Sequence, residues 1–183
     1  MIPGSTQVGF EATLLRPAKQ DAEVSWLFVI LPREISEKLP RRGKTTVTGR
    51  IHTCPFQATL DPDGQLSHWL KIDKKLQIKA GLKAGDRVFL EITPLQEEPE
   101  PEVPEDFLKA LQLNSKALNV WNETTTVARL DWVHWITSAK QEKTRLKRIQ
   151  DASEMLAAGK KRVCCFDPSG FYSKVFRAPE AAQ

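Results

Sequence analysis

Apolar residues recur with a period of two through the first half of the chain and with a period near 3.6 through the second half. In the first half, Val8, Phe10, Ala12 and Leu14 occupy alternate positions, which predicts a half-buried strand. VSWLFVIL at 24–31 is β-rich and nearly continuous, as expected of a strand running through a core. Pro32 then opens a short helical piece, REISEKL, and RRGK at 41–44 turns the chain. TTVTGRIHT at 45–53, CPFQATL at 54–60, QLSHWLKI at 65–72 and DRVFLEI at 86–92 predict four more strands, with DPDG at 61–64 as a hairpin turn. KKLQIKAGL at 74–82 reads as a second short helix. Six short strands with two brief helices predict a small β-barrel rather than an open sheet.

In the second half, Pro104 opens EDFLKALQL, where Phe107, Leu108 and Leu111 share a face. Asn114 or Ser115 can cap a helix that buries Ala117, Leu118 and Trp121, and Thr124 and Thr125 can cap a third. On that third helix Trp132, Trp135, Ile136 and Ala139 recur at i, i+3, i+4 and i+7, and Leu146, Ile149, Ser153 and Leu156 continue on a fourth until Gly159 stops it. A single helix of that length is unusual, so a break is expected near Ser138 to Gln141. QEEPEPEVPED at 96–106 separates the halves; its prolines and like charges predict an extended, solvated linker. The organisation expected is therefore α+β: a β-barrel domain over 6–95, a linker over 96–106, a helical bundle over 107–160 and a tail over 161–183, part of which can dock on a domain while its last few residues are loose.

Composition narrows the class without naming a function. The chain has 183 residues, 40% of them hydrophobic, enough for real cores. WLFVIL at 26–31 is too short to cross a bilayer, and the start MIPGSTQVGFEA lacks a basic-then-apolar signal, so a cytoplasmic location is expected. Three cysteines cannot form a closed disulfide set, and Cys164 and Cys165 are sequence neighbours with poor geometry for pairing, so all three read as reduced thiols. The net charge of +4 is uneven: +4 before residue 97, −6 over 97–106 and +6 afterwards.

Several stretches resemble known families. FEATL at 10–14, WLFVILPREI at 26–35, VTGRIHTCPFQATLDPDG at 47–64 and GLKAGDRVFLEI at 81–92 resemble a small bacterial barrel domain of unknown function. PEDFLKAL at 104–111 with WITSAKQEKTRLKRI at 135–149 resembles the YdeI/OmpD-associated, or bacteriocin-protection, family. The resemblance runs from residue 6 to about 160 and implies the two modules fused in this order. It implies a double-split barrel of AbrB-like topology for the first and a small helical bundle with no established reaction for the second. Within GLKAGD, Gly81 and Gly85 supply conformations denied to other residues and Asp86 can accept turn amides, a structural role.

Candidate chemistry is sparse. His52, His68 and His134 stand in no zinc-ligating or HExxH spacing, and no phosphate-binding glycine motif is present, so neither a metal nor a cofactor is expected. The paired carboxylates lie in the linker, where solvent leaves them poorly suited to acid–base work. His52 and Cys54 share a face if the chain is extended there, the one hint of a Cys/His enzyme. The best candidate surface is AKQEKTRLKRIQ at 139–150, where Lys140, Thr144, Lys147 and Arg148 fall along one side of a helix and Lys143 and Arg145 diverge from it. The family resemblance points to Lys140, Thr144, Arg145, Arg148 and Ile149. These cations suit an acidic protein surface or a nucleic acid, or an internal partner in the acidic linker. Trp26, His52, Phe56, His68 and Trp69 are the aromatic or amphipathic groups that can line a ligand cavity in the barrel. A barrel this small is normally filled by its own side chains.

The readings that follow are a non-enzymatic bacterial binding protein linked to bacteriocin protection or envelope stress, a nucleic-acid-binding regulator, and a Cys/His-dependent enzyme. AbrB-type DNA binding needs an interlocked dimer, whereas this chain has strands enough to close a barrel alone.

Overall fold

Six strands form where the alternation predicts them: β1 (Val8–Thr13), β2 (Leu27–Ile30), β3 (Thr45–Ile51), β4 (Cys54–Pro62), β5 (His68–Ile72) and β6 (Arg87–Pro94). Two short helices, α1 (Arg33–Ser36) and α2 (Lys74–Ala80), complete the set in this computed structural model, which describes residues 6–20 and 25–183. Val24, the first residue of the expected second strand, lies outside the described residues. The strands pair antiparallel in the order β1-β6-β3-β4-β5-β2. The two edges then meet, because Leu15 and Phe28 exchange both backbone hydrogen bonds at 2.8 and 2.9 Å, and the sheet becomes a nearly closed barrel.

Alternation fills this barrel. Val8 and Phe10 of β1, Leu27 and Val29 of β2, Val47 and Ile51 of β3, Leu60 of β4, Leu70 and Ile72 of β5, and Val88, Leu90 and Ile92 of β6 make one buried cluster. Gly49 faces the same way, and a Cβ there would collide with the Glu91 carbonyl and the Phe56 ring. The Phe56 ring thus occupies space that a side chain at its cross-strand partner would take. After α2 the GLKAGD turn forms as expected: Gly81 and Gly85 take positive φ (64° and 90°), and the Asp86 carboxylate accepts the Lys83 amide at 2.8 Å. The turn also hooks to the strand end, with Gly85 N donating to Leu14 O and Leu14 N to Asp86 O.

The second unit, Glu98–Phe166, contains α3 (Glu105–Gln112), α4 (Ser115–Glu123), α5 (Thr126–Thr137) and α6 (Glu142–Ala157). Asn114 and Thr125 cap α4 and α5 by accepting the amides of Ala117 and Ala128, each at 3.2 Å. The break between α5 and α6 falls at 138–141, and Gly159 at φ 86° follows α6. Phe107, Leu111, Ala117, Trp121, Trp132, Ile136, Ile149, Ala152 and Leu156 form this unit's own core. Among the described residues no helix is long and apolar enough to cross a membrane.

The linker, expected to be solvated, and the last residues of the tail, expected to be loose, both find partners. The acidic stretch is tied to the helical unit: Glu100 takes Arg129 Nη1 at 2.8 Å and Thr126 Oγ1 at 2.9 Å, and Asp106 takes Arg145. Cations in the helices neutralise carboxylates that composition alone would leave in solvent. The tail from Asp167 belongs with the barrel unit. Its last residues are not loose, since Ala18 N donates to Glu180 O at 2.8 Å and Ala182 N to Arg16 O at 2.7 Å. Phe176 packs against Gly64 and Gly170, and Pro168 against Gly43, with no room for a Cβ at any of these three glycines.

Candidate functional site

The α5–α6 corner carries all five residues expected of the basic surface, and it divides them. Lys140, Lys143 and Thr144 are exposed, while Arg145 and Arg148 are half-buried. The division follows from the residues to which each side chain is bound.

Arg145 grips Asp106 at two points, Nε to Oδ2 at 2.8 Å and Nη2 to Oδ1 at 2.9 Å. This fork-on-carboxylate geometry is the one arginine forms and lysine cannot. The Arg145 hydrogen bonds are the largest cause holding the Asp106 carboxyl below its usual range, and the same contact raises Arg145. Asp106 Oδ1 also accepts the Phe107 amide at 2.9 Å, in the first turn of α3. One ion pair therefore fixes the start of α6 to the start of α3.

Arg148 turns the other way. Its Nη1 donates to the Trp135 carbonyl and, at 3.1 Å, to Ser138 Oγ, and its guanidinium lies 5.4 Å from the centre of the Trp135 ring. Trp135 O belongs to the last turn of α5, where carbonyls lack helical donors, so Arg148 caps the C-terminus of α5. Burial lowers the Arg148 pKa from its ordinary value. Lys147 pairs with Asp151 one turn ahead, at 3.0 Å. What faces solvent is Lys140, Lys143 and Thr144 around the first turn of α6, whose N-cap Gln141 supplies no side-chain bond. Among the described residues neither lysine has a salt-bridge partner. Two exposed lysine ammoniums flank one exposed carboxylate, Glu142, around this first turn, which leaves the surface modestly positive.

The barrel candidates do not converge. Trp26 and Trp69 stack with ring centres 6.1 Å apart on the outer face of β2 and β5, with the Lys71 ammonium 4.8 Å from the Trp26 ring. Phe56 packs against the interior, and His68 is fully buried. His52 is exposed in the tight β3–β4 turn at φ 53°. Neighbours on a strand face opposite ways, so His68 and Trp69 cannot line one space. The expectation that His52 and Cys54 share an extended face also fails, because His52 is a turn residue while Cys54 is buried in β4 with Sγ against the Lys79 carbonyl at 3.4 Å.

Sequence reasoning missed the pair that His68 does form. Its Nε2 lies 2.8 Å from Gly43 O and its Nδ1 2.5 Å from Ser36 Oγ. A carbonyl only accepts, which puts the hydrogen on Nε2 and leaves Nδ1 to accept from the Ser36 hydroxyl. Both residues are buried, so this serine–histidine pair is a clasp between α1 and β5 rather than a nucleophile open to substrate. Burial is the largest influence on His68 and lowers its pKa. A separation of 32 residues gave no local signal for it. Among the described residues no group of three or more His, Cys, Asp or Glu is placed to hold a metal.

Residues 10–92 match the family model described as Domain of unknown function (DUF1905), and residues 100–159 match that described as Bacteriocin-protection, YdeI or OmpD-Associated. No curated protein matches the chain.

Proposed function

We propose, on the premise that this chain joins a DUF1905 barrel to a YdeI/OmpD-associated helical domain, that it acts by binding rather than by catalysis. The surface it uses is the α5–α6 corner, and the chemistry it takes is an acidic patch on a partner protein. One observation carries this reading: both arginines of the corner are committed inward, so they fix its shape, while Lys140 and Lys143 face solvent on either side of Glu142. Lysine ammoniums suit carboxylates spread over a protein surface, because a point charge asks for little directional matching. The description of the helical family, bacteriocin protection, supports a setting in which the chain works through a bound partner.

The nucleic-acid reading draws less support, since the arginines that would hold phosphates are already bound to Asp106 and Trp135. The Cys/His reading draws least, because Cys54 and His52 face different surroundings.

Fluorescence polarisation with an acidic peptide, single-stranded and duplex DNA, and polyphosphate, each at low and moderate salt, tests the proposal. Peptide binding should exceed DNA binding at equal charge and weaken with salt. Sequence-dependent DNA binding with a steep salt slope would replace this reading with the regulator.

A further inference from the structure

The three cysteines have different environments. Cys54 is buried, whereas Cys164 and Cys165 are both exposed and reduced, their sulfurs 3.2 Å apart. They form a turn held at both ends within the helical unit. On one side Trp132 Nε1 donates to the Lys161 carbonyl at 3.4 Å and Val163 packs on the core; on the other the Phe166 ring stands edge-on to His134, centres 5.5 Å apart. Between these anchors Cys165 adopts φ 60°, a conformation a non-glycine residue keeps only where its surroundings impose it. Lys160, Lys161 and Arg162 precede the pair, and all three are exposed. The turn therefore presents two touching thiols to solvent beside Lys160 and Arg162, while Lys161 pairs with Glu123 at 3.2 Å.

We propose that Cys164 and Cys165 form a thiol-modification site for low-molecular-weight anionic disulfides, first captured as a mixed disulfide and then displaced as the pair closes on itself. In the first step the Cys164 thiolate attacks one sulfur of the reagent, forming one protein–reagent disulfide and expelling one reagent thiolate. In the second, Cys165 gives its proton to water and its thiolate attacks the Cys164 sulfur, expelling the other reagent thiolate. Two cysteine thiols are oxidised and one reagent disulfide is reduced to two thiols. The 3.2 Å contact lets one sulfur be captured while its neighbour is already within reach to displace the reagent, and the hydrogen bond to Cys164 raises the Cys165 pKa. The cations draw an anionic reagent in preference to a neutral one.

Closure is strained, and that defines its character. Neighbouring Cα atoms lie about 3.8 Å apart, below the roughly 4.4–6.8 Å that disulfides span without strain. The spacing that argues against a resting disulfide argues for a labile one, readily reopened by thiols.

The test uses the full chain, glutathione disulfide as the probe and intact-mass spectrometry with peptide mapping. Wild type should lose the mass of two hydrogens at Cys164–Cys165, and excess reduced glutathione should restore it. Cys165→Ser should instead hold one stable glutathionyl group on Cys164, and a neutral disulfide of similar size should react with wild type several-fold more slowly. Two independent glutathionyl groups on the pair with no closure, reaction first at Cys54, or equal rates for charged and neutral reagents would each overturn the proposal.

Discussion

At the residue scale, charge type alone does not say which way a side chain is used. Arg145 and Lys143 lie two positions apart in one basic run, yet one is bound at two points to Asp106 and the other faces water. The arginine's partner lies 39 residues away and so leaves no local signal. If the contact is the staple between α3 and α6, replacing Arg145 by Ala should cost about 1 kcal/mol, discounted for partial exposure. A double-mutant cycle with Asp106→Asn, read by urea unfolding, should show coupling of that order, and simple additivity would contradict the staple. His68 supplies a pH signature. Its pKa is ordinarily 6.5 and is lower in the fold, so below about pH 6.5 the unfolded chain binds the extra proton and stability falls as pH falls toward the folded value. Asp106 acts in a separate window, its contribution lost only as pH falls below its ordinary 3.8. Urea unfolding between pH 8 and 5 should show the His68 slope in wild type and lose it in His68→Gln. An unchanged slope in that variant would assign it to another group.

At the element scale the sequence was most legible where periodicity and caps agreed. Alternation placed β1 and β6, Asn114 and Thr125 marked two helix starts, and the doubt about one overlong helix was answered by a break at 138–141. Arg148 explains why the break is stable, because it satisfies the end of α5 from within α6. Less legible was β2, which is shorter than its apolar run: Leu27 and Val29 face the interior while Phe28 lies under Trp26 and Trp69 outside it. Apolar runs read alike whether one face or both are covered. The β3–β4 pairing also depends on one absent side chain. Gly49→Ala should destabilise the barrel by about 1–3 kcal/mol through overpacking against the Glu91 carbonyl and the Phe56 ring, measured as a lowered urea midpoint with unchanged slope. A neutral effect would mean that the Glu91 carbonyl and the Phe56 ring both give way.

At the scale of the whole molecule, the chain makes two units, each with its own core, and the boundaries in sequence do not match those in space. The barrel unit reclaims Asp167–Gln183 after the helices, so the helical unit is inserted between two parts of the barrel unit. Nothing in the tail's composition announced this, because pairing of Glu180–Ala182 with Arg16–Ala18 is a backbone interaction to which side-chain pattern is nearly blind. Removing residues 177–183 should therefore lower the unfolding temperature of the barrel unit, with β-sheet circular dichroism as the readout. An unchanged transition would show that the pairing carries no stability. The same distinction between pattern and partner governs function. Sequence located the basic corner and chose its five residues, but not which two were already bound.

The most direct test of that division compares two double variants in the same assay. Lys140→Gln/Lys143→Gln should weaken binding of an acidic peptide by about tenfold at low salt and leave the unfolding temperature unchanged, since exposed lysines contribute little to the fold. Arg145→Gln/Arg148→Gln should lower the unfolding temperature, its effect on binding following the loss of structure. Equal binding by wild type and the lysine variant, or loss of binding by the arginine variant with stability intact, would contradict the account.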